Sequence, residues 1–232
     1  MKIAEIIARW VFIICFSLLL VTSTIRLGAN NVHLYEHGFD KYHISEATGI
    51  GREQLSEVAR RLVDYFNFKL ETPQITVVDE HGQEFELFQE NGQNRELTHL
   101  EDVRRLFQFN YRVQLGSLAY IIIYVLLFLL WRKGRWQDLA GGVWRGSAVT
   151  LAIIAVLGIG SFVMDFEQLF IRFHYLAFDN PWWMSTGYLP RLFPECFWQY
   201  TAFLGAGVIA VVALIFGIVA RAVPVIHYKR KG

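Results

Sequence analysis

Four stretches of this 232-residue chain contain no Asp, Glu, Lys or Arg and are strongly apolar: 10–25, 113–131, 146–164 and 196–220. They are 16, 19, 19 and 25 residues long, against about 20 for a helix that crosses the hydrocarbon of a bilayer. A buried helix of a soluble protein needs only about 10–14 such residues, so four runs of this length predict four membrane-spanning helices. The first is the shortest, and Arg9 and Arg26 at its ends have stems long enough to reach the headgroups. The expected fold class is a mainly α membrane protein. It is a four-transmembrane-helix bundle with a small α+β extracytoplasmic domain between helices 1 and 2.

Composition agrees: 54% of residues are hydrophobic, 16% aromatic and 19% charged, with a formal net charge of +1. A balance so close to zero leaves no basic field for nucleic acid, the apolar excess excludes a disordered chain, and 2 cysteines exclude a disulfide scaffold. Cys15 lies at mid-span and Cys196 at a span boundary, so they are poorly placed to pair. Lys2 and Arg9 ahead of the first run also resemble a signal peptide, but no Ala-x-Ala site follows Val21, and a retained anchor is expected.

The sidedness follows from the basic residues in short flanks. Lys2 and Arg9 precede span one, Arg132, Lys133 and Arg135 separate spans two and three, and Arg221, Lys229, Arg230 and Lys231 follow span four. All three clusters are cytoplasmic if the N-terminus is inside. The expected layout is then span one within 1–28, an extracytoplasmic domain at 29–112, span two at 113–131 and a cytoplasmic loop at 132–145. Span three follows at 146–164, an outer interfacial aromatic segment at 165–195, span four at 196–220 and a cytoplasmic basic tail at 221–232. Gly142 and Gly146, Gly158 and Gly160, and Gly205 and Gly207 suggest close helix packing within the spans.

In the first outward segment, Leu55, Val58, Ala59, Leu62 and Phe66 recur at helical spacing, predicting an amphipathic helix that ends near Asn67. Residues 74–78 and 84–88 read as two strands joined at 80–83. A second helical pattern starts near Arg95 and places Glu96, His99, Asp102 and Leu106 on one face. The second outward segment is aromatic: 13 of the 38 residues from Phe166 to Phe203 are Phe, Tyr or Trp, about twice the chain average. Phe166, Leu169, Phe170, Phe173 and Ala177 recur as one face of a helix lying along the outer interface, and His174 sits among them.

Of seven histidines, His33, His37, His43, His81 and His227 fall in polar stretches or the basic tail and read as solvated. His99 and His174 are on the two outward segments. No Gly-x-Ser-x-Gly elbow, His-Glu-x-x-His or Cys-x-x-Cys is present, so neither a serine-hydrolase site of that kind nor a zinc site has local support. Gly49-Ile50-Gly51 lacks the third glycine and the preceding strand of a dinucleotide loop. Spacing alone therefore ends at a four-span membrane protein with an outer interfacial site.

Several blocks carry a resemblance. Arg26-Leu27, the run from Leu34 to Tyr42 and Tyr65-Phe66-Asn67 resemble the opening of the bacterial four-span lipoprotein intramolecular transacylase family. The run from Arg95 to Arg104 resembles its Arg-Glu-x-x-His-Met-x-Asp-Val-Lys block. Phe173-His174-Tyr175-Leu176-Ala177-Phe178, with Asn180, Trp183 and Phe193-Pro194-Glu195, resembles its Phe-His-x-x-Phe-Phe block. Leu100, Arg104 and Ala177 depart from the pattern without removing a titrating group.

The resemblance implies an acyltransferase of the bacterial plasma membrane whose substrates are diacylated lipoproteins. It would move the sn-2 acyl chain of the diacylglyceryl-cysteine to that cysteine's α-amino group, giving a lyso-form lipoprotein. His99 and His174 are the implied catalytic residues. Asp102, Glu96 and Arg26 are expected to support them, and Tyr35, Phe173, Phe178 and Trp183 to contact the lipid, membrane lipids being the other partner. No cofactor and no metal ligands are expected, and no nucleic-acid partner. Two other classes stay open: a non-catalytic membrane sensor or scaffold, in which both histidines would tolerate alanine, and a metal-dependent lipid-modifying enzyme that would join them through an ion.

Overall fold

The computed structural model describes residues 2–79, 81–92, 94–131 and 136–229. The basic positions Arg132, Lys133, Arg135, Arg230 and Lys231, and Glu80 of the expected hairpin, lie outside the described residues. In chain order the elements are α1 (Lys2–Ala29), α2 (Val32–Lys41), α3 (Ile44–Thr48), α4 (Arg52–Phe66), β1 (Thr76–Val78) and β2 (Glu84–Glu86). There follow β3 (Glu90–Asn91), β4 (Asn94–Arg95), α5 (Glu96–Trp131), α6 (Trp136–Val163), α7 (Phe166–Ala177), a 3-10 turn (Trp182–Met184), α8 (Leu189–Leu192) and α9 (Glu195–Lys229). Four of these helices are long and apolar enough to cross a membrane, over Ile3–Ala29, Glu96–Leu130, Trp136–Ser161 and Glu195–Ala222.

Each is longer than the charge-free run that announces it. α6 starts ten residues before Gly146 and includes Asp138 and Arg145. α5 begins at Glu96 and, at 36 residues, is about 54 Å long against about 30 Å of hydrocarbon. The peptide ladder does not stop where side chains become polar, so absence of charge marks the depth of the lipid and not the helix end. The charge-free part of α5 is its apolar 113–131 stretch; residues 96–112 carry Glu96, Glu101, Asp102, Arg104, Arg105 and Arg112.

The chain divides into two compact units. One comprises residues 1–25, 110–163 and 204–232. In it α1 packs closely on α6: a Cβ on Gly142 would lie 2.9 Å from Phe12, and one on Gly146 2.7 Å from Phe16. Phe12 also meets Tyr124 of α5 and Phe16 meets Phe216 of α9, with ring centroids 4.8 and 5.5 Å apart. Hydroxyls are spent inside the bundle: Ser17 donates to the carbonyls of Ile13 and Gly146, and Tyr120 donates to that of Ala8. Gly158, Gly160, Gly205 and Gly207 do not share this use, since a Cβ at any of them would meet nothing within 4 Å. Large apolar side chains such as Leu130 and Val156, 82% and 69% exposed, find no cover in the protein and require lipid.

The other unit comprises residues 26–109 and 164–203, so the expected 165–195 segment shares a core with the 29–112 region. α4 buries Leu55, Val58, Ala59, Leu62 and Phe66, the face read from its spacing, the four larger side chains each worth about 1.5–3 kcal/mol. Against it pack Tyr35 and Phe39 of α2, Ile75, Val77, Leu87 and Phe88 around the first hairpin, Leu100 of α5, and Leu192, Phe193 and Phe197. β1 and β2 pair antiparallel with Val77 opposite Phe85, and the Asp79 carboxylate closes their turn by accepting the N–H groups of His81 and Gln83. β3 and β4 form a second antiparallel pair immediately before α5. α2 has no strong signal in the sequence because His33, Glu36, His37 and Asp40 dilute its apolar face. Asn31 caps it by accepting the His33 N–H, and Gly38 lets Phe197 approach where a Cβ would be 2.2 Å from the ring.

Candidate active site

His99 lies one turn into α5 and His174 in the last turn of α7, 75 residues on in the chain and in the same unit. Their ring centroids are 6.1 Å apart and both side chains are buried. No hydrogen bond joins them, and the separation leaves both within reach of one bound group. Phe178 covers the pair, 5.0 Å from His99 and 5.5 Å from His174. His174 is further enclosed by Phe170 at 4.1 Å, Trp183 at 4.8 Å and Phe173 at 5.4 Å.

This apolar enclosure disfavours the charged form of both rings. Burial pushes the His99 pKa down to about 4, with the neighbouring His174 adding to the shift. Burial also lowers that of His174, opposed by its bond to the Phe170 carbonyl. That bond fixes a tautomer. His174 Nδ1 is 2.7 Å from the Phe170 carbonyl oxygen, an atom that only accepts, so Nδ1 carries the hydrogen and Nε2 presents its lone pair. His99 Nδ1 and Trp183 Nε1 are buried without a hydrogen-bond partner, which in a folded protein asks for an explanation.

The carboxylates that flank His99 are engaged elsewhere. Asp102 accepts from Asn180 Nδ2 at 2.8 Å and pairs with Arg105 at 3.5 Å. Asn180 in turn accepts the Trp182 N–H at 3.1 Å, so Asp102 orders the turn that delivers Trp183 to His174. Glu96 is fully buried and accepts the N–H groups of Gln89 at 2.9 Å and Leu189 at 2.7 Å. Asn94 accepts from the Thr186 N–H and hydroxyl, both at 3.1 Å, and Arg95 stacks on Trp182. The 180–189 loop is thus tied to the β3–β4 hairpin and the start of α5. The hydrogen bonds of Glu96 and Asp102 go to the 180–189 loop and the hairpin rather than to His99.

Of the remaining expected site residues, Phe178 meets both imidazoles, and Phe173 and Trp183 meet His174. Tyr35 does not join them. It is buried in the core against Phe193 and Phe197, and its hydroxyl donates to the Ala29 carbonyl. Arg26 is exposed in the last turn of α1. Asn94 and Gly187 carry no chemical signal in the sequence; a Cβ on Gly187 would stand 2.5 Å from the Glu96 carboxylate, a constraint visible only in three dimensions. An open depression of about 340 Å³ between α2, α3 and α4 is lined by Glu36, Asp40, His43 and Glu53. Its charges are spent locally, Glu36 on His33 and Asp40 on Arg52.

The family model described as Lipoprotein intramolecular transacylase Lit matches residues 10–198. Among solved structures, the membrane integral lipoprotein intramolecular transacylase Lit from Bacillus cereus superposes with a TM-score of 0.79 at 16% identity, covering 100% of both chains. Two variants of that protein, with a histidine replaced by alanine in one and by arginine in the other, give 0.74 and 0.70 at 15% identity. They cover 100% and 99% of this chain and 97% and 96% of theirs. No curated protein matches the chain.

Proposed function

The chain belongs to the lipoprotein intramolecular transacylase Lit family, a family of membrane acyltransferases. On that premise we propose that His99 and His174 are the acid–base pair of its acyl transfer. The substrate is a diacylated lipoprotein whose sn-2 acyl chain passes to the α-amino group of its own N-terminal cysteine. The observation that carries this is the pair itself: two buried, neutral imidazoles 6.1 Å apart in an aromatic enclosure, contributed by helices distant in sequence.

An α-amino group titrates near 7.7–8, so a substantial fraction enters neutral at physiological pH. As its nitrogen attacks the ester carbonyl carbon, His174 Nε2 takes the amine proton, the tautomer held by Phe170 having left that lone pair free. Burial makes an imidazolium here a stronger acid than a solvated one, and it gives the proton to the departing sn-2 oxygen. His99, neutral, hydrogen-bonds the leaving oxygen and polarises the bond that breaks. No proton is gained or lost overall. Nucleophile and ester belong to one molecule, and holding them in attack geometry supplies about 7–11 kcal/mol in favourable cases.

The unit that holds the pair faces outside: its 29–112 portion carries 15 acidic against 9 basic residues, whereas the basic clusters flank the opposite ends of the spans. Both termini are then cytoplasmic. The 29–112 portion is the small α+β domain, with α7 and Phe173 at the outer leaflet, where the substrate's acyl chains lie. The direct test expresses the protein in a bacterial host without other N-acylating enzymes and analyses its lipoproteins by mass. Diacyl lipoprotein is converted to a species of equal mass with an acylated N-terminus, and His99→Ala and His174→Ala each abolish conversion. Full conversion by both variants would end the assignment of these histidines.

A further inference from the structure

The aminolysis proposed above develops negative charge on the former carbonyl oxygen, and neither histidine has been assigned to it. A protein stabilises such charge with a hydrogen-bond donor already aimed into the site, whose own need for a partner is unmet before substrate arrives. Trp183 carries such an unmet donor beside the pair. Its indole ring lies 4.8 Å from His174, yet Nε1 is buried with no acceptor. Burying an N–H without a partner costs about 1–3 kcal/mol, and tryptophan usually finds one when buried.

The loop does not leave the ring to chance. Asp102 holds Asn180, Asn180 holds the Trp182 N–H, and Arg95 covers Trp182. Tyr175 also meets Trp183, edge to face at 5.5 Å. A side chain wanted only for apolar bulk would be filled as well by Phe, a residue already used at 170, 173 and 178 around the same imidazole. Indole adds to it a second ring and one donor.

We propose that Trp183 is a catalytic residue whose Nε1–H donates to the ester carbonyl oxygen and to the oxyanion that forms there. The amine nitrogen bonds to the carbonyl carbon and the C=O π pair moves onto oxygen, where Trp183 holds it. His174 takes the amine proton. The oxygen pair then returns to re-form C=O, the bond to the sn-2 oxygen breaks, and that oxygen takes the proton. The inference rests on the acyl-transfer reading and is separable from it.

The test compares wild type with Trp183→Phe and with Trp183 replaced by benzothienylalanine, which keeps the bicyclic shape and puts sulfur where the N–H stood. A synthetic diacylglyceryl-cysteine lipopeptide in detergent-solubilised enzyme is the substrate. Both replacements lower kcat about 10²–10³-fold, leave KM within about threefold and leave the pH dependence of kcat in place. In ¹⁵N-tryptophan-labelled wild type, a phosphonate mimic of the tetrahedral intermediate shifts the Trp183 indole proton downfield, and an ether analogue without the carbonyl oxygen does not.

A benzothienylalanine variant within about threefold of wild-type kcat overturns the proposal, as does a rise in KM alone. So does an indole proton that ignores the phosphonate, whether or not the variants fold. If His99→Ala and His174→Ala are inactive while both Trp183 variants turn over, only this inference fails. If wild type converts no lipopeptide, the acyl-transfer reading falls and takes this one with it.

Discussion

Gly187→Ala puts a methyl group where the structure has none to spare. A Cβ there would lie 2.5 Å from Cδ, Oε1 and Oε2 of Glu96, so the carboxylate has to retreat by about 1 Å to reach ordinary contact. A carboxylate is the mobile end of a side chain, and on a surface the move would cost little. Glu96 is fully buried, however, and its Oε1 accepts the Leu189 N–H at 2.7 Å; a retreat of that size stretches the bond beyond hydrogen-bond length. One hydrogen bond to a charged group is worth about 1.5–3 kcal/mol, and overpacking adds about 1–3 kcal/mol. The expected cost is about 3 kcal/mol or more, and at about 2–4 °C per kcal/mol for a chain of this size Tm falls by about 6–12 °C. The assay is thermal unfolding in detergent, with Gly158→Ala as control. A Cβ at Gly158 meets nothing within 4 Å, so the control holds or slightly raises Tm, alanine favouring the helix by about 1 kcal/mol. Equal Tm for the two variants would refute the reasoning that Glu96 latches the 185–189 loop.

Two further outcomes follow from the site. Asn180→Ala removes the bridge from Asp102 to the Trp182 N–H, and kcat for lipopeptide conversion falls about 10-fold while Tm drops by no more than a few degrees; wild-type kcat would show that the turn holds Trp183 without it. The pH dependence has a definite sign. His99 titrates near 4 in the fold and near 6.5 when unfolded, so above pH 6.5 it is neutral in both states and contributes nothing. As pH falls below 6.5 the unfolded chain takes the proton first, and stability drops by up to about 1.4 kcal/mol per pH unit until about pH 4. Tm measured from pH 7 to 4.5 declines more steeply in wild type than in His99→Phe, and parallel curves would show that His99 is not the buried neutral group.

The four spans were legible because charge-free runs of 16 to 25 residues leave few alternatives, and α4 because Leu55, Val58, Ala59, Leu62 and Phe66 keep helical period over a polar background. α2 was not, because its buried face is Tyr35, Gly38 and Phe39 between charged residues, and the reason for Gly38 is a ring 159 positions away. The histidines were identifiable as candidates from the blocks around them. That Asp102 serves Asn180, and Glu96 the Leu189 N–H, was not: spacing along α5 places both on the His99 face, and nothing local shows that a loop more than 75 residues later claims them. Tyr35, expected at the lipid, went to the core for the same cause.

Transfer of apolar side chains out of water is additive along a chain, so the sequence by itself determined that this protein spans a membrane and how many times. It also placed His99 and His174 on the two hydrophilic segments between spans. A catalytic arrangement depends on distances between atoms remote in sequence, which no sum over local residues contains. Only the tertiary structure decided that the two imidazoles stand 6.1 Å apart, that His174 presents Nε2, and that a buried indole N–H beside them has no partner.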